Sequence, residues 1–308
     1  MEFVEVRIHG GIIKDSAAKH PAFATFGLLF GATMWGVIWY PYRLLEAAGV
    51  SGAYASLLTY AGALLLGGLL YARHWHDLFR APGTLLLLAL AAGWTNLSYV
   101  LAVIDGEVMR VMLLFYLSPL WTLLLARLLL HEHAGKRGLM VIVFSLGGAF
   151  IMLWDPSQGF PLPRDLPEWL ALSSGIGFSL TNVLTRRSTH LSLPEKSIAV
   201  WGGVTVLALI FLPFTKTPVP GFSQIPFEFW MLMLGLAVIL TATTLLVQYG
   251  VTHTLATRAA VIFLFELVVA AVFAYLVAGE SLSVREMIGG AMIVAATFFA
   301  PSGGEPSA

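Results

Sequence analysis

One carboxylate lies in the middle of a long apolar segment. Glu266 is ten residues into the run Ala256–Val277 and has no basic residue within two turns of its own helix. A charged group at the centre of a bilayer is costly, so a residue of this kind is a functional candidate. Its carboxyl could bind the amine of a ligand, or take up and release a proton. The alternative is a protonated side chain that is hydrogen-bonded between helices and has only a structural role.

Further polar and aromatic side chains interrupt the other apolar segments. Asn96 and Tyr99 are three residues apart and therefore share one helix face. Aromatic walls with a few polar anchors can stack a flat or apolar group and hold its polar ends. The predicted ligand-binding set is Trp39, Asn96, Tyr99, Tyr116, Asn182, Gln248, Phe263 and Glu266. Helix packing is the alternative for the aromatic residues, and bonds to the i−4 carbonyl are the alternative for the hydroxyls near Asn182.

Three short motifs indicate features of the backbone. Pro119 lies inside the apolar run Val108–Leu130, where its missing N–H predicts a kink that could act as a hinge or serve only to bend the helix. Gly27 and Gly31 have the G-x-x-x-G spacing of tight helix packing. Glu132 and Glu280 end their apolar runs at equivalent places, and we expect them to pair with basic residues of the following helix.

The composition shows where these residues must lie. The 308-residue chain is 58% hydrophobic and 11% charged, with a mean hydropathy of +0.84. A soluble domain has roughly 25% charged residues, so most of this chain must face lipid. The net charge is zero and no basic block stands out, which argues against nucleic acid as a partner. The absence of cysteine removes disulfides, thiolate metal sites and cysteine nucleophiles. We predict no metal, no cofactor and no catalytic residue.

The apolar runs predict an all-α membrane protein of ten transmembrane helices. A helix needs about 20 apolar residues to cross the hydrocarbon core, and helices satisfy every backbone polar group internally. Short connections between the runs indicate antiparallel neighbours in one bundle. The predicted spans are Phe23–Leu45, Gly52–Ala72, Thr84–Ile104, Val108–Leu130, Gly138–Leu153, Leu166–Thr185, Ile198–Phe214, Phe229–Thr252, Ala256–Val277 and Met287–Ala300.

The positions of Lys and Arg predict the orientation. With a cytosolic N-terminus, twelve of the 17 basic residues fall on the cytosolic side and five on the other, so both termini lie in the cytoplasm. Residues 1–22 lack the features of a cleaved signal peptide and are predicted to be a cytosolic tail. Residues 301–308 form the second cytosolic tail.

An internal repeat divides the chain into residues 23–154 and 166–300. When the second half of the sequence is aligned with the first, Arg258 matches Arg110 and Phe263 matches Phe115; we call this alignment the first shift. A second shift, by slightly fewer residues, matches Arg186 with Arg43. Each half has five spans, so the two halves must face opposite ways across the membrane. Inverted repeats are typical of carriers that open to alternate sides around a midplane site. Gene duplication without this function would leave the same pattern.

Several of these residues resemble a known superfamily. The segment Phe115-Tyr-Leu-Ser-Pro119-Leu-Trp-Thr, which leads to His131-Glu132, is similar to the fourth helix of the drug/metabolite transporter superfamily of EamA-type ten-helix carriers. Trp35-Gly36, Gly279-Glu280 and Gly289-Gly290 extend the resemblance over most of the chain. The stretch around Tyr116 looks most like that of bacterial aromatic amino acid exporters. The second half has Glu266-Leu267 in place of Ser118-Pro119, which leaves the bend of the ninth span open.

The resemblance implies a secondary carrier in the bacterial inner membrane that exports small metabolites, with aromatic or other neutral amino acids as the expected substrates. Drugs, nucleosides, sugars and cationic compounds are the alternative substrates. No G-x-x-x-x-G-K-[ST] run is present, so a gradient, with proton coupling as the candidate, must supply the energy. The lipid bilayer and a small molecule are the predicted partners, and the residues do not determine the oligomeric state.

Other classes of membrane protein fit the residues less well. A membrane enzyme would need more than His131-Glu132-His133 to complete a metal site. Gly177-Phe-Ser179-Leu-Thr181 lacks the last glycine of a nucleophile elbow and lies within a span. A channel would need rings of like charge or repeated filter carbonyls. A purely structural or receptor protein would leave Glu266 and Gln248 unexplained.

Overall fold

The fold is known from a computed structural model, which describes residues 7–8, 11–12, 21–72, 81–155, 157, 162–214, 219–278, 281 and 283–300. Most of the predicted N-terminal tail, all of the predicted C-terminal tail and Glu280 lie outside the described residues. Nearly all of the described chain is helical. Arg7–Ile8 (β1) and Gly11–Ile12 (β2) form a short antiparallel pair of strands.

The helices follow the apolar runs of the sequence. Their first turns carry the signals expected of helix N-termini, such as the capping boxes at Ser192–Glu195 and Ser283–Glu286 and the cap formed by Asp165. The helices are α1 (Pro21–Ala47), α2 (Gly52–Leu70), α3 (Pro82–Asp105), α4 (Val108–Phe115), α5 (Ser118–Leu125), α6 (Lys136–Leu153), α7 (Leu166–Arg187), α8 (Leu193–Phe211), α9 (Phe227–His253), α10 (Ala256–Phe263), α11 (Phe265–Phe273) and α12 (Val284–Phe299).

Eight helical segments of the described chain are long and apolar enough to cross a membrane. Two of them combine shorter helices: Arg110–Leu130 includes α5 and most of α4, and Ala256–Val277 includes α10 and α11. The predicted sixth and tenth spans are helical as α7 and α12 but are not among the eight. The chain is therefore a multi-pass, helical membrane protein.

The predicted break in the fourth span is present, and the ninth span breaks as well. α4 ends at Phe115 and α5 begins at Ser118, so that Pro119 lies in the first turn of α5. The ninth span is interrupted at Leu264, between α10 and α11, although no proline is present there. Both spans end in a short π-helical segment, Ala126–Leu130 and Ala274–Ala278. A proline is therefore not required for this break.

The helices pack in two equivalent sets of neighbours. α3 packs against α7 and α8, whereas α9 packs against α1 and α2. Two further pairs, α2 with α8 and α6 with α12, join the halves of the chain. The prediction of tight packing at Gly27 and Gly31 is confirmed, because a Cβ at either position would lie 2.5 Å or less from α9. These contacts place α1, α4, α7 and α10 around the residues described next.

Candidate functional site

Six aromatic rings from five helices form one connected cluster, which we call the ring cluster. Its contacts link α1 and α10 on one side with α3, α4 and α7 on the other. The Phe178 ring is central, with centroid distances of 6.0 Å to Trp35, 5.3 Å to Phe263 and 5.6 Å to Phe115. The members of the ring cluster are Trp35, Tyr99, Phe115, Tyr116, Phe178 and Phe263. In this conformation the rings contact one another, so a ligand between them must displace rings or separate helices.

Glu266 lies beside the ring cluster on the first turn of α11. Its carboxyl group lies near the hydroxyl group of Tyr116 and is close enough to Tyr99 for an electrostatic interaction. Tyr116 is only 4% exposed, whereas Glu266 is partly buried. The structure therefore brings together four residues of the predicted ligand-binding set: Tyr99, Tyr116, Phe263 and Glu266.

The backbone near Glu266 lies directly against α1. A Cβ at Gly36 would lie 2.8 Å from the carbonyl oxygen of Glu266, so only glycine permits this approach. Between α7 and α4–α5 a carbonyl oxygen of the broken span is also contacted, because Ser179 Oγ donates to the Ser118 carbonyl oxygen at 2.7 Å. These contacts fix the two broken spans against α1 and α7.

The carbonyl group released by Pro119 faces a helix. Phe115 precedes Pro119 by four residues, and a Cβ at Gly175 of α7 would lie 2.6 Å from its carbonyl oxygen. In this conformation the oxygen therefore lies against α7. The role of Pro119 as a hinge stays a prediction.

Asn96 lies at a separate small pocket. Its Oδ1 accepts a hydrogen bond of 2.8 Å from Ser56 Oγ of α2. The pocket has a volume of about 10 Å³ and is lined by residues of α2, α3 and α8, with Leu212. A volume of that size holds about one water molecule. In this conformation the pocket is too small for a metabolite.

The other three residues of the predicted set have different surroundings. The Trp39 ring packs against Tyr40 and Phe273, with centroids 5.7 Å and 6.1 Å away. Asn182 and Gln248 are buried in α7 and α9, and Gln248 Oε1 has no hydrogen-bond partner within the described part of the chain. No ring contact or hydrogen bond between described residues links these three side chains to the ring cluster. Their contact with a ligand stays a prediction.

Two ion pairs join the fourth span to α7, one at each end. Arg110 at the start of α4 binds both carboxylate oxygens of Glu168, and both side chains are buried. At the other end, Arg186 Nε lies 3.0 Å from Glu132 Oε1. The prediction that Glu132 pairs with basic residues of the following helix, α6, is wrong, because its basic partner Arg186 lies in α7. The second oxygen of Glu132 accepts from the N–H of Ala256. Glu132 therefore links α7 with the N-terminus of α10.

A buried lysine extends the second ion pair into α8. Lys196 is fully buried, and its Nζ donates to Thr252 Oγ1 at 2.7 Å. Arg186 Nη1 donates to the carbonyl oxygen of the same threonine. Sequence reasoning did not identify Lys196, because it precedes the predicted seventh span, where a lysine is usually solvated. The capping box at Ser192–Glu195 places it in the first turn of α8, where it points into the bundle.

The internal repeat contains a signal that could have identified the rest of the ring cluster. Phe263 was singled out, and the first shift relates it to Phe115. The second shift relates Trp35 to Phe178. Together the two shifts relate the ring pair Phe115–Phe178 to the ring pair Phe263–Trp35. The ring centroids are 5.6 Å apart in the first pair and 5.5 Å apart in the second. Application of both shifts to every aromatic residue would have found all four.

Comparisons with known proteins agree with this arrangement of helices. A crystal structure of a protein superimposes with a TM-score of 0.75 over 91% of this chain and 96% of its own, at 16% identity, which shows a shared fold. An uncharacterized transporter of Archaeoglobus fulgidus is 27% identical over 227 residues, 73% of this chain and 78% of its own. An uncharacterized transporter of Pseudomonas aeruginosa is 25% identical over 226 residues, 68% and 71% of the two chains.

The family match covers most of the chain. Residues 22–154 and residues 166–300 each match the EamA-like transporter family. The two matches include all twelve helices except the first residue of α1, and they contain every residue of the ring cluster, Glu266 and both ion pairs. The chain belongs to the EamA-like transporter family of the drug/metabolite transporter superfamily.

Proposed function

We propose that this transporter is a secondary carrier that exports small metabolites by alternating access, with aromatic or other neutral amino acids as substrates. The observation that carries the proposal is the ring cluster beside Glu266, at the junction of α1, α4, α7 and α10. Aromatic rings supply the stacking surface for an apolar side chain. Glu266 supplies the negative charge that binds an ammonium group. The substrate enters when the helices separate at one end of the bundle.

The proposed architecture is ten spans in two inverted repeats, residues 23–154 and 166–300, with both termini in the cytoplasm of the bacterial cell. Support comes from equivalent contacts in the two halves. The second shift relates Gly36 to Ser179 and the first relates Ser118 to Glu266. The close approach of Gly36 to the Glu266 carbonyl oxygen therefore corresponds in position to the hydrogen bond from the Ser179 hydroxyl to the Ser118 carbonyl oxygen. Inverted halves with equivalent contacts can exchange their conformations, which opens the site to either side.

Glu266 is the proposed proton-coupling residue. The hydroxyl groups of Tyr99 and Tyr116 lie near it, and no basic side chain of the described chain forms an ion pair with it. A carboxyl group without a fixed cation can exchange a proton or an ammonium group as the carrier turns over. Pro119 and the break at Leu264 are the proposed hinges, because each lies where the backbone hydrogen bonding of its span is interrupted.

Uptake by proteoliposomes tests this function. Vesicles with the purified chain are expected to accumulate radiolabelled L-phenylalanine when an outward proton gradient, with an acidic lumen, is imposed, because an exporter that exchanges protons for substrate moves the two in opposite directions, and empty vesicles are the control. Glu266→Gln is expected to lose the accumulation that the gradient drives, because Gln neither exchanges a proton nor carries the charge that binds the ammonium group. If no amino acid moves faster than in empty vesicles, the proposed substrate class is wrong. If Glu266→Gln retains the pH dependence of the wild type, another group carries the proton.

Cationic compounds are the second candidate substrate class. A carboxylate beside aromatic rings also binds an organic cation through its charge and through cation–π contacts. Competition separates the two classes, because an amino acid exporter is inhibited by L-tyrosine and L-tryptophan at concentrations at which tetraphenylphosphonium has no effect. The reverse order of inhibition would favour the cationic substrates.

A further inference from the structure

Two arginines occupy equivalent positions in the two broken spans. Arg110 is the third residue of α4, and Arg258, onto which the first shift places it, is the third residue of α10. Each half-helix faces a helix of the other half of the chain, α7 for α4 and α1 for α10. The ring contacts between these helix pairs are also alike, with centroid distances of 5.6 Å for Phe115–Phe178 and 5.5 Å for Trp35–Phe263.

The contacts of Arg110 show which chemical group binds the arginine at this position. Its Nε and Nη2 donate to the two carboxylate oxygens of Glu168, the Nη2 contact being 2.9 Å long. The side chains of Arg110 and Glu168 are only 7% and 6% exposed. A two-point contact of this kind is the strongest geometry between a guanidinium group and a carboxylate. The first arginine therefore fastens its span to α7 through a carboxylate.

The equivalent carboxylate is missing opposite Arg258. The second shift places Thr25 of α1 where α7 has Glu168. Arg258 Nη2 lies 3.5 Å from Thr25 Oγ1, a long contact, and that hydroxyl donates to the carbonyl oxygen of Pro21. Arg258 Nε is buried and has no hydrogen-bond partner among the described residues. A buried N–H group without an acceptor is costly, so the site favours an added acceptor.

The charged groups around Arg258 do not fill this position. No described carboxylate forms an ion pair or a hydrogen bond with Arg258. Glu132 at the N-terminus of α10 is already bound to Arg186 and to the N–H of Ala256. The guanidinium group therefore has one orphaned donor and no carboxylate partner among the described residues, in a setting whose equivalent holds a carboxylate.

We propose that Arg258 binds a carboxylate group of the substrate between α1 and α10, in the place that Glu168 occupies opposite Arg110. This site deepens the proposed function and rests on it, since it requires a substrate that carries a carboxylate. By the proposed orientation Arg258 lies at the cytosolic end of the ninth span, where an exporter collects its substrate. A bound carboxylate draws α1 and α10 together at that end as Glu168 draws α7 and α4 together.

Ligand-induced thermal stabilisation tests the site without transport. The probes are 3-phenylpropionate and 3-phenylpropionamide, which differ only in the carboxylate. We expect the acid to raise the unfolding temperature of the wild-type protein in detergent and the amide to leave it unchanged. Arg258→Met is expected to weaken binding of the acid at least about tenfold, the loss of a two-point charged contact.

Thr25→Glu and Thr25→Gln form the matched pair of variants. Thr25→Glu supplies the missing carboxylate within the chain, so this variant should unfold at a higher temperature than Thr25→Gln and no longer respond to the acid. Thr25→Gln should respond as the wild type does. Equal responses of the acid and the amide, or an unchanged response in Arg258→Met or Thr25→Glu, would overturn the proposal.

One further variant examines a carboxylate supplied by the chain itself. Asp15 lies outside the described residues and precedes α1. We expect Asp15→Asn to bind the acid as the wild type does, and clearly tighter binding would overturn the proposal by showing that the N-terminal segment occupies the position. If the acid binds as expected but the vesicles move no amino acid, the carboxylate site stands and the proposed transport function fails.

Discussion

Replacement of Glu168 by Gln tests whether the ion pair at the start of α4 holds this end of the bundle together. Glu168 accepts from Arg110 through both oxygens and from the backbone N–H of Arg164 at 2.9 Å. Gln has nearly the same shape, but it lacks the charge and has only one acceptor oxygen. The guanidinium group of Arg110 would keep its contact with the carbonyl oxygen of Leu162, at 3.1 Å, which does not neutralise its charge.

The expected loss is large because both side chains are buried. Removal of one member of a buried ion pair costs roughly 3–5 kcal/mol, since the remaining charge loses its paired carboxylate. The pair at the other end provides a comparison, because the side chains of Arg186 and Glu132 are 20% and 18% exposed. Solvent screens that pair more strongly, so we expect Glu132→Gln to cost roughly 1–2 kcal/mol.

The assay is reversible unfolding in mixed micelles with increasing SDS, followed by tryptophan fluorescence. The double variant Arg110→Met/Glu168→Leu is the control, because apolar residues of similar volume can replace a buried ion pair at little cost. Its stability should lie much closer to the wild type than that of Glu168→Gln. The reasoning is wrong if Glu168→Gln costs no more than Glu132→Gln, or if the double variant is no more stable than Glu168→Gln.

Three further predictions follow from close contacts of α8 and of the fourth span. Gly203→Val should lower the unfolding temperature strongly, because a Cβ there would lie 2.0 Å from a carbonyl oxygen of α3, whereas Gly202→Val, with open space around it, should have little effect. Pro119→Ala restores an N–H to the break, so we expect unchanged or higher stability with transport several-fold slower. Ser179→Ala removes the bond to Ser118 and should cost about 1 kcal/mol in the SDS assay. Unchanged unfolding of Gly203→Val or Ser179→Ala, or unchanged transport by Pro119→Ala, would contradict these expectations.

Much of the helical architecture could be predicted from the sequence. The apolar runs predict the helices because a span must stay apolar across the whole hydrocarbon core, and the structure has a helix at each predicted position. The boundaries differ by a few residues where capping decides them. α8 begins at Leu193 and not at Ile198, since the capping box at Ser192–Glu195 extends the helix through Glu195 and Lys196.

The candidate site was harder to predict from the sequence, because the partner of a side chain depends on how its helix is rotated about its own axis. Periodicity identifies a polar residue within a span, as with Glu266, but not the helix that it faces. Asn96 was expected with Tyr99 because the two share a face, yet Asn96 binds Ser56 of α2 whereas Tyr99 packs against Phe115. The ion pair of Glu132 with Arg186 joins two positions far apart in the sequence, which no local rule relates.

Single-cysteine labelling tests the inverted pairing of the halves most directly. The chain has no native cysteine, so Ala72→Cys after α2 and Gly221→Cys after α8 are unique reporters. Both positions are exposed. In intact cells a membrane-impermeant maleimide should label Gly221→Cys and not Ala72→Cys, with the reverse in inside-out vesicles. Labelling of both positions from the same side would contradict the inverted repeat and the alternating-access carrier that depends on it.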